Sequence, residues 1–265
     1  MIEASRQAND PIIALLRRDR WIVLGASAAL TLFTAAECRR LDDTLMGAGA
    51  GWCGASVARW GPADLTMIAL MWSVMMIAMM TPTASPMVLA FAGLERHRYG
   101  GTRAPWATTG AFLSGYLMVW IGFSLLAALA EWGLHAATMR SASGTLPRPA
   151  LAAVLMLTAG AFQFSPLKAA CLRHCRTPVG FLLAEWREGT RGALVMGGRH
   201  GLYCVACCWL LMLVLLGVGA MNAAWCAGLA ALVLAERILP GGLWLARGAG
   251  VALILAGAAV AARTW

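Results

Sequence analysis

The chain has 265 residues, of which 60% are hydrophobic and 12% charged, a balance that does not describe a soluble globular protein and overrides length as a guide to domain number. Its mean hydropathy of +0.72 excludes disorder, and eight cysteines are too sparse for a small disulfide framework. The formal net charge of +9 reads as membrane orientation once its positions are sorted, so no nucleic-acid partner is needed to explain it.

A helix rises 1.5 Å per residue, so a hydrocarbon core of about 30 Å takes roughly 20 apolar residues. That ruler predicts an all-α polytopic bundle of about seven transmembrane helices. Residues 1–20 are polar and Arg-rich and form a cytoplasmic segment. The apolar run after them, Trp21 to Ala36, has no small-residue cleavage site in the expected place and is expected to remain as an anchor. It is short, with Arg20 and Glu37 free to snorkel at its ends. The second span, Leu65 to Leu94, is uncharged and too long for one straight crossing; Pro82 and Pro86 in its latter half predict a kink or a re-entrant end.

The third and fourth spans run from Thr108 to Ala130 and from Pro149 to Leu167. Leu202 to Ala235 is a charge-free run of 34 residues, too long for one crossing, and Gly217, Gly219 and Asn222 suit a hairpin. It divides into spans Gly201 to Gly219 and Asn222 to Leu239, and a seventh follows from Trp244 to Ala262. Trp21, Trp60, Trp106, Trp132 and Trp244 lie near the ends of spans, where indole rings favour the headgroup layer. Residues 21–265 therefore form a single transmembrane domain. Its long connection, 168–200, contains an interfacial-looking piece from Phe181 to Arg191.

Lys and Arg sort unevenly between alternate connections, 15 on the side of the N-terminus and six on the other. The positive-inside rule then places the N-terminus in the cytoplasm and the C-terminus outside, as expected of a multi-pass protein. On this topology the 168–200 connection is cytoplasmic.

Chemistry gathers at both ends of that connection. Cys171, His174 and Cys175 share a helix face, as do His200, Cys204 and then Cys207 or Cys208. Topology brings both patches to one surface. Thiolate and imidazole donors suit copper(I), zinc or iron, and the two patches together could complete a four-coordinate site; otherwise the cysteines are small hydrophobes packed between helices. The reading adopted is ligation. The order Cys-x-x-His-Cys is not that of covalent haem attachment.

Seven of the 15 methionines fall in the second span. Met67, Met71, Met75 and Met79 repeat every four residues, with Met76 and Met80 beside them. Thioethers select copper(I) over zinc, but methionine also fills apolar interfaces. Met75, Met76, Met79 and Met80, nearest the thiols, are candidate secondary ligands. Glu236 is another candidate, the alternatives being a partner for His200, His174 or Arg237. Gln163 and Asn222 suit helix contacts and Cys226 suits packing, while Glu131 and His135 belong at the outer interface. Cys38 and Cys53, in the outer connection, are expected to form a disulfide, the alternative being a point of metal uptake.

Three segments carry a resemblance. They are Met71-Trp72 through Pro82 and Pro86; Gln163, Pro166, Lys168, Cys171, His174 and Cys175; and Gly189 through Arg199, His200, Cys204, Cys207, Cys208 and Trp209, followed by Met221, Asn222 and Glu236. Over about residues 65 to 255 the chain resembles a bacterial family of predicted metal-binding integral membrane proteins. The resemblance implies that Cys171, His174, Cys175, His200, Cys204, Cys207 and Cys208 act as one functional set. Copper follows from ligand softness.

The leading expectation is a membrane protein that binds copper(I) for delivery, storage or translocation, with a metallochaperone or metalloenzyme as partner. The alternatives are a thiol redox protein using paired cysteines and a non-catalytic maturation factor for a metalloenzyme. There is no nucleotide loop for ATP-driven pumping and no nucleophile-elbow or zinc-hydrolase motif.

Overall fold

The computed structural model describes residues 62–98, 106–140, 148–219 and 222–264. Among the described residues all regular structure is helical: α1 Pro62–Arg98, α2 Trp106–Arg140, α3 Arg148–Phe162, α4 Pro166–Arg176, α5 Pro178–Glu185, α6 Gly189–Val218, α7 Ala223–Ile238 and α8 Gly242–Thr264. The all-α expectation holds. Four helices are long and apolar enough to cross a membrane, within α1, α2, α6 and α8, and α3 with α4 makes a fifth if that bent pair counts as one span. The expected span Trp21 to Ala36 lies outside the described residues, as do Cys38 and Cys53. The span expected from Asn222 to Leu239 forms the 16-residue α7, which at 1.5 Å per residue falls short of a full hydrocarbon thickness.

Local chemistry explains the other departures. α1 runs unbroken through Pro82 and Pro86, so of the kink or re-entrant end expected there, the re-entrant end does not form. Pro86 leaves the carbonyl of Pro82 without its usual helical donor, and the Ser85 hydroxyl donates to that oxygen at 2.6 Å. The span expected from Pro149 to Leu167 instead ends at Phe162 and turns by 69° into α4. Pro166 disfavours a helical Ser165, and Ser165 is extended and caps α4 by accepting the Lys168 N–H at 3.1 Å. The 168–200 connection is also mostly helical. Residues from Gly189 onward belong to the 30-residue α6, and Phe181 and Leu182, expected at an interface, are buried. The hairpin falls where expected, with Gly219 at φ 100 closing α6 and Asn222 capping α7 through the Ala224 and Trp225 N–H groups.

α6 is the central helix, packed by α2, α3, α4 and α7. Its approach to α2 is backbone against backbone: a Cβ on Gly197 would collide with the Phe112 carbonyl, and one on Gly115 with that of Leu194. Small residues permit this closeness and the extensive van der Waals packing that comes with it. The main core joins Trp72, Tyr116 and Trp120 to the methionines of α1 and the cysteines of α4 and α6. A second cluster of Met87, Phe91, Phe112, Phe181, Leu182, Ala193 and Met196 seats α5.

Candidate functional site

The cysteines of α4 and α6 meet. Spacing along α6 stacks His200, Cys204, Cys207 and Cys208 on its inner face, and all four are buried, with Cys204 and Cys208 at 0% exposure. The turn at Ser165 lays α4 across α6, so that buried Cys171 and Cys175 face the same core as Cys204, Cys207 and Cys208. Met76, Met79 and Met80 of α1 belong to the same cluster, with half-buried Met75 against it. Two sequence motifs and the methionine stripe thus form one soft-donor region. Met75 also receives the Cys226 thiol at 3.6 Å, which joins α7 to α1.

His174 lies apart from this set. It is exposed, its Nδ1 is 3.0 Å from the Ala170 carbonyl, and its ring stacks on Tyr203 at 4.6 Å. His200 is 1% exposed, with neither ring nitrogen hydrogen-bonded, and its ring packs among Tyr116, Phe181 and Phe112 with centroids 5.6, 5.7 and 6.3 Å away. Unsatisfied nitrogens buried this deeply are unusual in native proteins. Among the described residues no three His, Cys, Asp or Glu side chains are disposed to hold a single metal ion. The donors are therefore gathered without a four-coordinate cage.

Charge at the site comes from groups counted as loop charges in the sequence. Arg237 is buried and aims at the thiols: Nη2 donates to Cys204 Sγ at 2.8 Å and reaches Cys207 Sγ at 3.7 Å. Its Nη1 donates to the Thr83 carbonyl at 3.2 Å and to the Thr83 hydroxyl at 3.1 Å. Among the described residues no carboxylate forms an ion pair with it. Glu236 is committed to Lys168, whose Nζ lies 2.6 Å from Oε2 with both side chains essentially unexposed, and Gln163 Nε2 donates to Oε1 at 3.4 Å. The pairing of Glu236 with Arg237, one of the expected alternatives, is replaced by this ion pair.

Tyr116 completes the surroundings. Its hydroxyl is 3.1 Å from Cys204 Sγ and donates to the Met80 carbonyl at 3.1 Å. The thiols of Cys207 and Cys208 donate back to the Cys204 carbonyl at 3.1 and 3.0 Å. Arg237, Lys168, Tyr116 and Thr83 are the residues that sequence reasoning missed. A signal was present for two of them, because an ionisable group beside a long apolar run is a functional candidate until shown to lie at the interface.

Buried thiols, thioethers, an imidazole with no hydrogen-bond partner among the described residues and a guanidinium without a carboxylate define a class: a helical protein that gathers soft donor atoms in an apolar core. Residues 69–260 match the PpoB2 copper chaperone family, and the chain belongs to that family. The match covers nearly the same range as the motif-based resemblance and gives its metal relation a name, copper. No curated protein and no solved structure matches the chain.

Proposed function

We propose that the chain is a multi-pass protein of a bacterial inner membrane that receives copper(I) on its buried thiols and hands it to a copper-requiring partner. The observation that carries this reading is the convergence of Cys171, Cys175, Cys204, Cys207 and Cys208 with Met76, Met79 and Met80 in one core cluster, in a member of a copper chaperone family. Thiolates would hold the ion and thioethers would offer weaker, exchangeable positions, a gradation that suits transfer. His200, with both nitrogens free of hydrogen bonds, is the imidazole donor nearest in sequence to Cys204. With the N-terminus cytoplasmic, the thiols lie toward the cytoplasmic side, and delivery is favoured over storage or translocation. Zinc and iron are the competing metals. Copper per protein is measured on anaerobically purified wild type and on a variant with Cys171, Cys175, Cys204 and Cys208 all changed to Ala. The expected result is loss of bound copper in the variant, and equal content in both would sink the reading.

One observation favours a second reading. Cys175 and Cys207 come from two helices into one buried cluster, both as free thiols, where a dithiol redox pair would lie. Gel-shift detection of a reversible Cys175 to Cys207 disulfide in membranes would support it, and its absence under oxidant would remove it.

A further inference from the structure

Arg237 is the least expected group in the core. A guanidinium stays charged under all ordinary conditions, and burying a charge without a counter-ion costs several kcal/mol. Arg237 is 7% exposed, yet its partners are a threonine hydroxyl and carbonyl and two cysteine sulfurs. The ionisable pair nearby, Lys168 with Glu236, is neutral as a pair and contributes no net charge. The remaining groups around the guanidinium, Tyr116 and Cys175, are uncharged in their ordinary forms.

We propose that Arg237 is a fixed counter-charge that makes the thiol site selective for a monovalent soft cation held between the Cys204 and Cys207 sulfurs. The inference rests on the copper reading and goes beyond it, because it assigns the basis of the choice among metals. Binding forms two sulfur–metal bonds and breaks two S–H bonds, and both protons leave for the surrounding water. No electrons move. The product, two thiolates around a monovalent ion, carries one negative charge that the guanidinium balances, so a core that carries one uncompensated positive charge before binding becomes neutral. A divalent ion in the same place would leave a net positive charge in apolar surroundings, which is opposed by the desolvation that penalises any unbalanced buried charge.

Geometry points the same way. Copper(I) and silver(I) accept two sulfur donors, whereas zinc takes four ligands. The guanidinium reaches two sulfurs, and among the described residues no three His, Cys, Asp or Glu side chains are placed to hold one ion. Thr83 anchors the other guanidinium nitrogen to α1, so the charge is held in place rather than free to swing away.

The test uses full-length protein purified anaerobically in detergent, with silver(I) as a redox-inert monovalent probe and zinc(II) as the divalent one, bound metal being measured in competition. Wild type is expected to prefer silver. In Arg237→Gln the silver-over-zinc preference should narrow by roughly tenfold or more, and in Arg237→Lys, which keeps the charge, it should stay within about threefold of wild type. A folded Arg237→Gln protein with the wild-type preference would overturn the proposal, as would a folded Arg237→Lys protein that has lost it. If the Gln variant does not fold, the Lys variant decides alone. Wild type that takes up silver while Arg237→Gln keeps its preference leaves the copper reading standing and removes the counter-charge. Wild type that binds neither silver nor copper overturns both.

Discussion

At the scale of single residues, the core departs from what the interior of an apolar helical bundle ordinarily tolerates. Lys168, Glu236 and Arg237 are all buried, and each is tied to a group on another helix. The Lys168 to Glu236 pair joins α4 to α7 at 2.6 Å, and Gln163 supports it from the turn before α4. Removing one partner of such a pair strands the other's charge. Lys168→Met or Glu236→Met alone should each lower unfolding free energy in detergent by about 3–5 kcal/mol, whereas the double variant should fall within about 1 kcal/mol of wild type or be more stable. Additive losses would mean that the two groups do not act as a pair. Sequence reading identified Glu236 as unusual and left its partner open. Lys168 stood in the quoted motif beside an apolar run, but its role as that partner was passed over, because a lysine two residues after a proline at the end of such a run looks like an interfacial charge until the chain is seen to turn inward.

At the scale of elements, the thiol site depends on how closely α2 and α6 approach and on where α3 ends. Gly197 and Gly115 allow backbones to touch at positions where any Cβ would collide with a carbonyl. Gly197→Ala should therefore cost more than about 2 kcal/mol of stability in detergent unfolding. Gly93→Ala, on α1 with open space around it, should be neutral or slightly stabilising by helix propensity. Equal behaviour of the two variants would show that the α2–α6 contact does not need its glycines. The helices themselves were legible from apolar run length. The break at Gln163 to Ser165 was not: Pro166 was visible, but an apolar run continued to Leu167, and run length does not reveal a change of direction. The same turn converts the expected cytoplasmic connection into the short helices α4 and α5, and it carries Cys171 and Cys175 into the core.

At the scale of the whole molecule, charge sorting and packing make separate statements. The tally of basic residues included Lys168 and Arg237, which are buried and so cannot report on a loop. The excess on one side persists without them, and the orientation it implies is tested at the exposed connection between α5 and α6. Glu188→Cys is expected to react with a membrane-impermeant maleimide in inside-out vesicles and not in right-side-out ones; the reverse pattern would invert the topology. The native Cys204, Cys207 and Cys208 should stay unlabelled in both. What the sequence could show was donor chemistry: the cysteines, histidines and methionines were singled out from residue type and spacing. What it could not show was which of them meet. His174 and Cys175 are neighbours in the chain, yet one stacks on Tyr203 outside and the other faces the thiols inside.

The complete burial of Cys204 and Cys208 has a kinetic meaning. Metal handed from one protein to another passes through a moment when donor and acceptor ligands hold it together, and a sulfur with no exposed surface cannot take part in that moment as it stands. If the proposed transfer function holds, loading and unloading would wait for the helices around α6 to part, so exchange would be timed by local opening rather than by affinity. An ion held this way could be bound weakly enough to give up and still be lost slowly to small thiols in the surrounding solution.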